Sequence, residues 1–553
     1  MENSCCGNSD KGRVNVWIKR LIVVAVVAGA LFAVSLPHLS TAAKGKPAPK
    51  GEGDVRATCY ECHEEVKALK EESKHAKLAC SVCHDNLQKH IDSSGDIKPV
   101  TKIDGALCGK CHQDEFRTAM AVDYEAQPRK EKGVPAGRSP MMDKLLAPYG
   151  FTFEHNEPRA HPFMVTDQFV VDRFIGGRFQ YKKGWFGVDS VGNTWDILAD
   201  KGPDFKMTET AKAGNPTCIQ CKTSDHILKW KFMGDKDPKA TWDRTSDVVA
   251  VAKDTQHSVG CIHCHDPHGT QPRVVRDALI QAIADKGATM FAGKDGKTDL
   301  KVIDFRGFRK IGVLQKADSR MLCAQCHVEY ACGKGFNFSD GKPVGYDDQR
   351  TNHIPLKGPK ELLEHYKKTQ NFYDFNHAVT GARLVKLQHP EAETFSGSVH
   401  DKAGVTCADC HMPPVKNKLG KPYRTHMMIR PKSHIKESCL RCHPQYTVEQ
   451  KLYQIDGIQN YTRGKMRKAE YWLGQLIDTY AVAKRWGVDE ATLAQAREKH
   501  EAAHVLWEWW TAENSDGFHN PSLARDTLGM SIAISKEGVA ILKKGIEEKT
   551  QKP

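Results

Sequence analysis

Residues 213–226 read AGNPTCIQCKTSDH, where Cys218 and Cys221 run directly into Lys222. Seven other places repeat the spacing but end in histidine. They are Cys59/Cys62/His63, Cys80/Cys83/His84, Cys108/Cys111/His112, Cys261/Cys264/His265, Cys323/Cys326/His327, Cys407/Cys410/His411 and Cys439/Cys442/His443. C-x-x-C-H is the attachment signal of c-type haem: both sulfurs bond the porphyrin edge and the histidine lies beneath the iron. A zinc knuckle would need paired C-x-x-C units at short separation, whereas successive pairs here stand 21 to 110 residues apart. A redox dithiol would not explain seven histidines. The motifs therefore predict eight covalently bound c-type haems, seven over histidine and one over Lys222.

The rest of the composition agrees. A chain of 553 residues exceeds one ordinary core. Its apolar content is only 40 %, so cofactor must fill part of the interior. The predicted fold class is mainly α: a multihaem c-type cytochrome with little β-structure, a haem-packed core and long C-terminal helices. The formal charge of +13 raises nucleic acid or a membrane surface as partners. Yet Lys and Arg are dispersed rather than gathered into one footprint, and haem propionates would face many of them. No nucleic acid is expected.

Lys11, Arg13, Lys19 and Arg20 precede an apolar run over residues 21–36, and Thr41, Ala42 and Ala43 follow. This is the layout of a secretory signal, residues 1–43, and predicts a periplasmic protein; the alternative is an uncleaved N-terminal anchor. Removal of the signal takes Cys5 and Cys6 with it, and Cys332 is then the one cysteine outside a motif.

Spacing divides the motifs into three and five. Residues 44–140 form an N-terminal trihaem region. It closes on EAQPRKEKGVPAGRSP, residues 125–140, which is polar and rich in Pro and Gly. Residues 141–446 form a pentahaem region, and 447–553 a helical region packed on it. Apolar residues at helical spacing predict one helix over 447–486, with Gly487 and Asp489 as stop and restart. A second helix runs to about residue 514, and a third starts at Asn520-Pro521. Trp507, Trp509 and Trp510 are more indoles than one face can bury in its own bundle, which suggests a homo-oligomer through the C-terminal helices. The one strand signal of note is a hairpin around Lys183-Gly184, in residues 173–188.

A haem that only passes electrons needs a ligand on both faces, so seven further histidines are required. His75, His257, His400 and His434 sit just upstream of motifs, and His90 closely follows one. Lysine must lose its proton to bind iron, and ligation drives that loss. The Lys222 haem is then the special one, with lysine below, an open face above and chemistry taking place there.

CIQCK, CAQCHVEYAC, KLQHPEAETFSGSVH, CADCHMPPVKNKLGKPYRTH and NEPRAHPFMVTDQFVVDR together resemble the pentahaem cytochrome c nitrite reductases. With three added N-terminal motifs the whole resembles an octahaem nitrite reductase. The resemblance implies six-electron reduction of nitrite to ammonia, with nitrite bound through nitrogen at the Lys222 haem, and reduction of hydroxylamine and sulfite besides. It gives Lys222, Arg173, Tyr330 and His389 the catalytic positions: Arg173 holds the anion, and His389 and Tyr330 deliver protons. It implies a calcium ion held by side-chain oxygens of Glu329 and Gln388 and the carbonyls of Tyr330 and Lys386. It supports His400, His426 and His519 as distal ligands, with His257 in the same role, while His161 is an alternative to one of those chosen by spacing. In the octahaem enzymes a cysteine placed as Cys332 is joined to the tyrosine ring by a thioether, which the resemblance carries to Tyr330. About fifty residues separate Arg173 from Lys222, more than in the pentahaem enzymes. The electron donor, a protein or quinol dehydrogenase, is not legible. The alternatives are another octahaem enzyme (hydroxylamine oxidoreductase or tetrathionate reductase) or a non-catalytic electron conduit.

Overall fold

The computed structural model describes residues 55–122, 141–146, 160–165, 215–234, 240–286, 289–292, 298–305, 309–316, 318–331 and 333–551. The predicted signal, the hairpin at 173–188, Arg173 and Cys332 lie outside them. Residues Arg56–Pro553 form one compact unit.

The chain is mainly helical, with few and short strands. The largest sheet among the described residues has three antiparallel strands: β1 (Arg273–Val274), β2 (Leu300–Phe305) and β3 (Arg309–Leu314), with β3 central. Immediately after β1 the chain enters α1 (Asp277–Lys286), so Arg276 sits at the turn between sheet and helix. Val274, Leu279, Ile283 and Leu314 join Met321, Val328 and Tyr330 in a buried cluster, which fixes the VEY stretch against this sheet.

The C-terminal helices follow their punctuation. The Thr447 hydroxyl accepts from the Gln450 N–H and starts α2 (Val448–Arg485, 38 residues). Gly487, at φ +69°, takes the left-handed conformation that ends it. Asp489 caps α3 (Glu490–Ala512), and Asn520 with Pro521 at the first turn starts α4 (Pro521–Thr550). Among the described residues, no helix is long and apolar enough to cross a membrane.

The structure corrects the reading of the three tryptophans. All three indoles are fully buried within the chain. Trp507 Nε1 donates to Glu470 of α2 (3.4 Å), Trp509 Nε1 to the Thr394 hydroxyl (2.8 Å) and Trp510 Nε1 to the Thr527 hydroxyl of α4 (2.8 Å). Residues 503–511 are buried without a break. The physical reason is that α3 is enclosed by α2, α4 and the body that carries Thr394, so it has no outward face here.

The N-terminal segment is built differently. Among the described residues between 55 and 122, Ile103 is the one apolar side chain that other protein atoms bury. The segment meets the rest through Ile103 and Leu69, which cluster with Ile262, Ile311 and Val313, and through polar contacts. Asn417 Nδ2 donates to Asp114 (2.8 Å) and the His426 N–H to the Thr118 hydroxyl (3.0 Å). His75 Nδ1 bonds the Pro267 carbonyl (2.8 Å).

Candidate functional site

Two imidazoles on opposite faces of one metal, each nitrogen about 2 Å away, place their ring centroids about 6.3 Å apart. Six motif histidines each face one other histidine at that spacing. His63 faces His90 at 6.1 Å, His84 faces His268 at 6.3 Å and His112 faces His75 at 6.1 Å. His265 faces His426 at 6.2 Å, His411 faces His519 at 6.3 Å and His443 faces His400 at 6.4 Å. His327 has two imidazoles at this range, His161 at 6.5 Å and His389 at 6.3 Å. Histidine pairs without a motif residue stand closer, at 4.8 Å for His377–His500 and 5.2 Å for His353–His365.

The outer nitrogens agree with this spacing. Nδ1 of His90 bonds the Ile97 carbonyl and Nδ1 of His411 the Ile429 carbonyl. His75 and His426 do the same with Pro267 and Arg424. A carbonyl can only accept, so Nδ1 carries the proton and Nε2 presents its lone pair, the arrangement of a metal-bound imidazole. Burial, then the charge of His268, hold His84 down to about pKa 4, and burial does the same to His265 and His411. These rings are therefore neutral, as ligation requires. The residues fit haem: each ring pair includes the histidine that directly follows a motif cysteine, and none of the motif cysteines is in a disulfide. Thiols of different motifs perturb each other's ionisation, Cys108 with Cys261, Cys221 with Cys326 and Cys323 with Cys407, so the attachment sites adjoin.

Protein atoms cover the motif cysteines to different extents. Cys62, Cys111 and Cys442 are exposed, whereas Cys221 is buried. Each is the second cysteine of its motif, and the three motifs are the first, the third and the last along the chain. The physical reason is local. Lys110, His112 and Gln113 around Cys111 are themselves exposed, as are Glu61 beside Cys62 and Arg441 and Pro444 around Cys442. Such polar stretches supply no apolar cover for a sulfur. A thioether needs reach to a porphyrin edge and not burial by protein atoms, so this exposure agrees with attachment.

At the lysine motif, the fourth along the chain, the Asn215 side chain accepts from the Thr217 N–H and starts a 3-10 turn, Pro216–Cys221, with Lys222 at its end. Lys222 is buried. Arg276, also buried, lies over the Tyr330 ring with its guanidinium carbon 5.3 Å from the centroid, while its Nη1 is 2.9 Å from Cys221 Sγ. Tyr330 and His389 have their rings 6.4 Å apart. Lys222, Tyr330 and His389 thus belong to one neighbourhood, linked through Arg276 and the Cys221–Cys326 contact.

The four residues expected around calcium are also brought together. Glu329 Oε2 accepts from the Gln388 N–H (2.8 Å), and Gln388 Nε2 lies 3.3 Å from the Lys386 carbonyl. Lys386 Nζ pairs with Glu508 (2.8 Å). Burial, reinforced by Glu393 and Glu508, drives the Glu329 carboxyl well above the usual carboxylate range. A cation in contact would hold it ionised. Among the described residues no three His, Cys, Asp or Glu side chains form a ligand set. The site therefore fits calcium only with carbonyl and amide oxygens included.

Two residues selected from the sequence stand elsewhere. His257 Nδ1 is hydrogen-bonded to Asp225 Oδ1 (2.9 Å), and His434 precedes the short helix Ile435–Ser438. His268 and Arg276 were not singled out. His268 has a signal, since it follows His265 by three residues in HDPHG, close behind a motif as His90 is. Arg276 has none.

A family model described as Cytochrome c552 matches residues 195–553. The chain is 28 % identical over 424 residues to the cytochrome c nitrite reductase subunit NrfA of Nitratidesulfovibrio vulgaris, covering 72 % of this chain and 68 % of the relative. It is 27 % identical over 428 residues to cytochrome c-552 of Haemophilus ducreyi, covering 74 % and 70 %. It is 26 % identical over 396 residues to cytochrome c-552 of Parabacteroides distasonis, covering 70 % and 65 %. These matches span about two thirds of each relative's length. Among solved structures, the catalytic subunit NrfA of cytochrome c nitrite reductase from Desulfovibrio desulfuricans ATCC 27774, which has two calcium sites, shares the fold. The TM-score is 0.55 at 23 % identity, covering 80 % of this chain and 86 % of that one.

Proposed function

Because the chain belongs to the cytochrome c552 family, we propose that it is an octahaem oxidoreductase that reduces nitrite to ammonia at the Lys222 motif, with hydroxylamine as a further substrate. The carrying observation is the division among the motifs. All seven motif histidines face a second histidine at one-metal spacing, whereas the lysine motif adjoins Tyr330 and His389, two side chains able to handle protons. The name of the Nitratidesulfovibrio relative supports nitrite as substrate.

Seven distal ligands are assigned on this reading: His90 to the His63 haem, His268 to His84, His75 to His112, His426 to His265, His161 to His327, His519 to His411 and His400 to His443. The choice of His161 leaves His389 for the substrate side, in keeping with the resemblance. When bound at Lys222, haem supplies the coordination site and the electrons. The chain's own residues do the rest. Arg173 holds the anion with a charge that does not titrate near neutrality. His389 exchanges protons near neutral pH and Tyr330 donates a hydrogen bond toward the substrate. Calcium held by Glu329, Gln388 and the carbonyls of Tyr330 and Lys386 ties the strands of chain that carry these two groups. A Tyr330–Cys332 thioether, the periplasmic location given by the N-terminal segment, and an unidentified electron donor complete the proposal. A homo-oligomer through the C-terminal helices remains part of it on different residues: Tyr453, Tyr461 and Tyr471 are exposed along α2, and Gly457 and Gly464 leave open space beside them.

The test is the purified holoprotein with reduced viologen and nitrite. Ammonium should form, with eight irons per chain, and no ammonium would overturn the reading. Lys222→His should keep every haem and change nitrite turnover; unchanged kinetics would remove the role of lysine.

A further inference from the structure

We propose that Arg276 is a positioning residue of this site, holding the Tyr330 ring in place beside the Lys222 attachment turn. The inference rests on the reading above for the role of Tyr330 and the identity of the substrate.

Arg276 is 2 % exposed, and a buried guanidinium is costly unless its contacts are specific. Its backbone is fixed first. Gln325 Oε1, inside the CAQCH motif, accepts from the Val275 N–H (2.6 Å) and the Arg276 N–H (3.3 Å). The side chain then reaches three groups. Nη1 is 2.9 Å from Cys221 Sγ, the sulfur that stands for the thioether one residue before Lys222. Nη2 lies 3.5 Å from Asn352 Oδ1. The guanidinium carbon lies over the Tyr330 ring, 5.3 Å from its centroid.

Asp277, the nearest carboxylate, does not take up this charge closely. Its Oδ1 is 4.0 Å from Arg276 Nε, while the same carboxylate accepts from Ala278 N (2.6 Å), Trp230 Nε1 (3.1 Å) and Asn352 Nδ2 (3.2 Å). The cation is left facing the π-cloud, where attraction strengthens when water is excluded. A planar guanidinium restricts ring tilt in a way that an ammonium on a flexible stem does not. One side chain thus spans the haem-attachment turn and the proposed proton donor.

The test compares wild-type, Arg276→Met and Arg276→Lys holoproteins. Arg276→Met should retain eight haems and its nitrite affinity, measured from the visible spectrum of the oxidised protein. Its kcat should fall roughly 10- to 100-fold with KM little changed, the size of effect a misplacement of about 1 Å produces. Arg276→Lys should recover part of the loss, and tyrosine bands in the ultraviolet resonance Raman difference spectrum should shift in Arg276→Met. A fully loaded Arg276→Met protein with wild-type kcat and unshifted tyrosine bands would overturn the proposal. So would equal losses of activity and haem in both variants, which would mark Arg276 as structural only. Should the wild type make no ammonium, the nitrite reading falls and the Raman difference alone judges Arg276.

Discussion

His268 and His257 illustrate how position and geometry part company at the residue scale. Both are histidines close to Cys261, yet one faces His84 across the width of a metal and the other bonds Asp225. Replacing His268 with alanine should leave every haem attached and add a high-spin band in the visible spectrum, while His257→Ala should add none. The seven motifs, the lysine and most of the facing histidines were legible from sequence, because covalent attachment demands fixed local spacing. Arg276 was not, because its partners lie far away in the chain and only the fold brings them close, whereas His268 carries only the signal of standing three residues behind a motif histidine. The Asp225–His257 pair also carries a pH dependence. Burial pushes the Asp225 carboxyl up, but hydrogen bonds from the His257 ring and from the His257 and Gln256 N–H groups outweigh it and hold it below the usual range. Its bond to Asp225 raises His257 above an ordinary imidazole, against the smaller effect of burial. The pair's stabilisation is complete between about pH 4 and 6.5, the ordinary values of the two groups. It fades below that window as Asp225 protonates and above it as His257 loses its proton. The difference in thermal midpoint between wild type and His257→Ala should therefore be larger at pH 6 than at pH 9.

The three long helices are the part of the fold most plainly written in the sequence. The helix, stop and restart expected at 447–486, Gly487 and Asp489 stand as α2, its left-handed terminus and the cap of α3. Periodicity gives a helix its length and caps its ends, but it does not say how many neighbours the helix will have. That is why the tryptophans suggested an outward face and are instead enclosed on every side. Trp510→Ala should cost about 3–5 kcal/mol of stability, the usual range for emptying a buried indole site. Denaturant unfolding of the holoprotein would measure it. Because Trp510 contacts α4 through Thr527 rather than the candidate site, kcat should stay close to wild type below the transition.

Across the whole molecule, polar anchors bring distant chain segments to one point. The proposed calcium group joins residues 329–330 to 386–388, and Glu508 of α3 braces it through Lys386. Chelation should lower the thermal midpoint and nitrite turnover together, and added calcium should restore both; turnover untouched by chelation would separate this group from the reaction. The N-terminal portion depends on another kind of anchor. Ile103 is its one fully buried aliphatic side chain among the described residues, with Leu69 packed beside it, so protein atoms give it little apolar core of its own. Biogenesis of this chain must then be a matter of timing. On the proposed octahaem reading, the nascent polypeptide would stay threadlike and protease-sensitive until porphyrins were stitched in, and a cell lacking the ligation machinery would discard that end first.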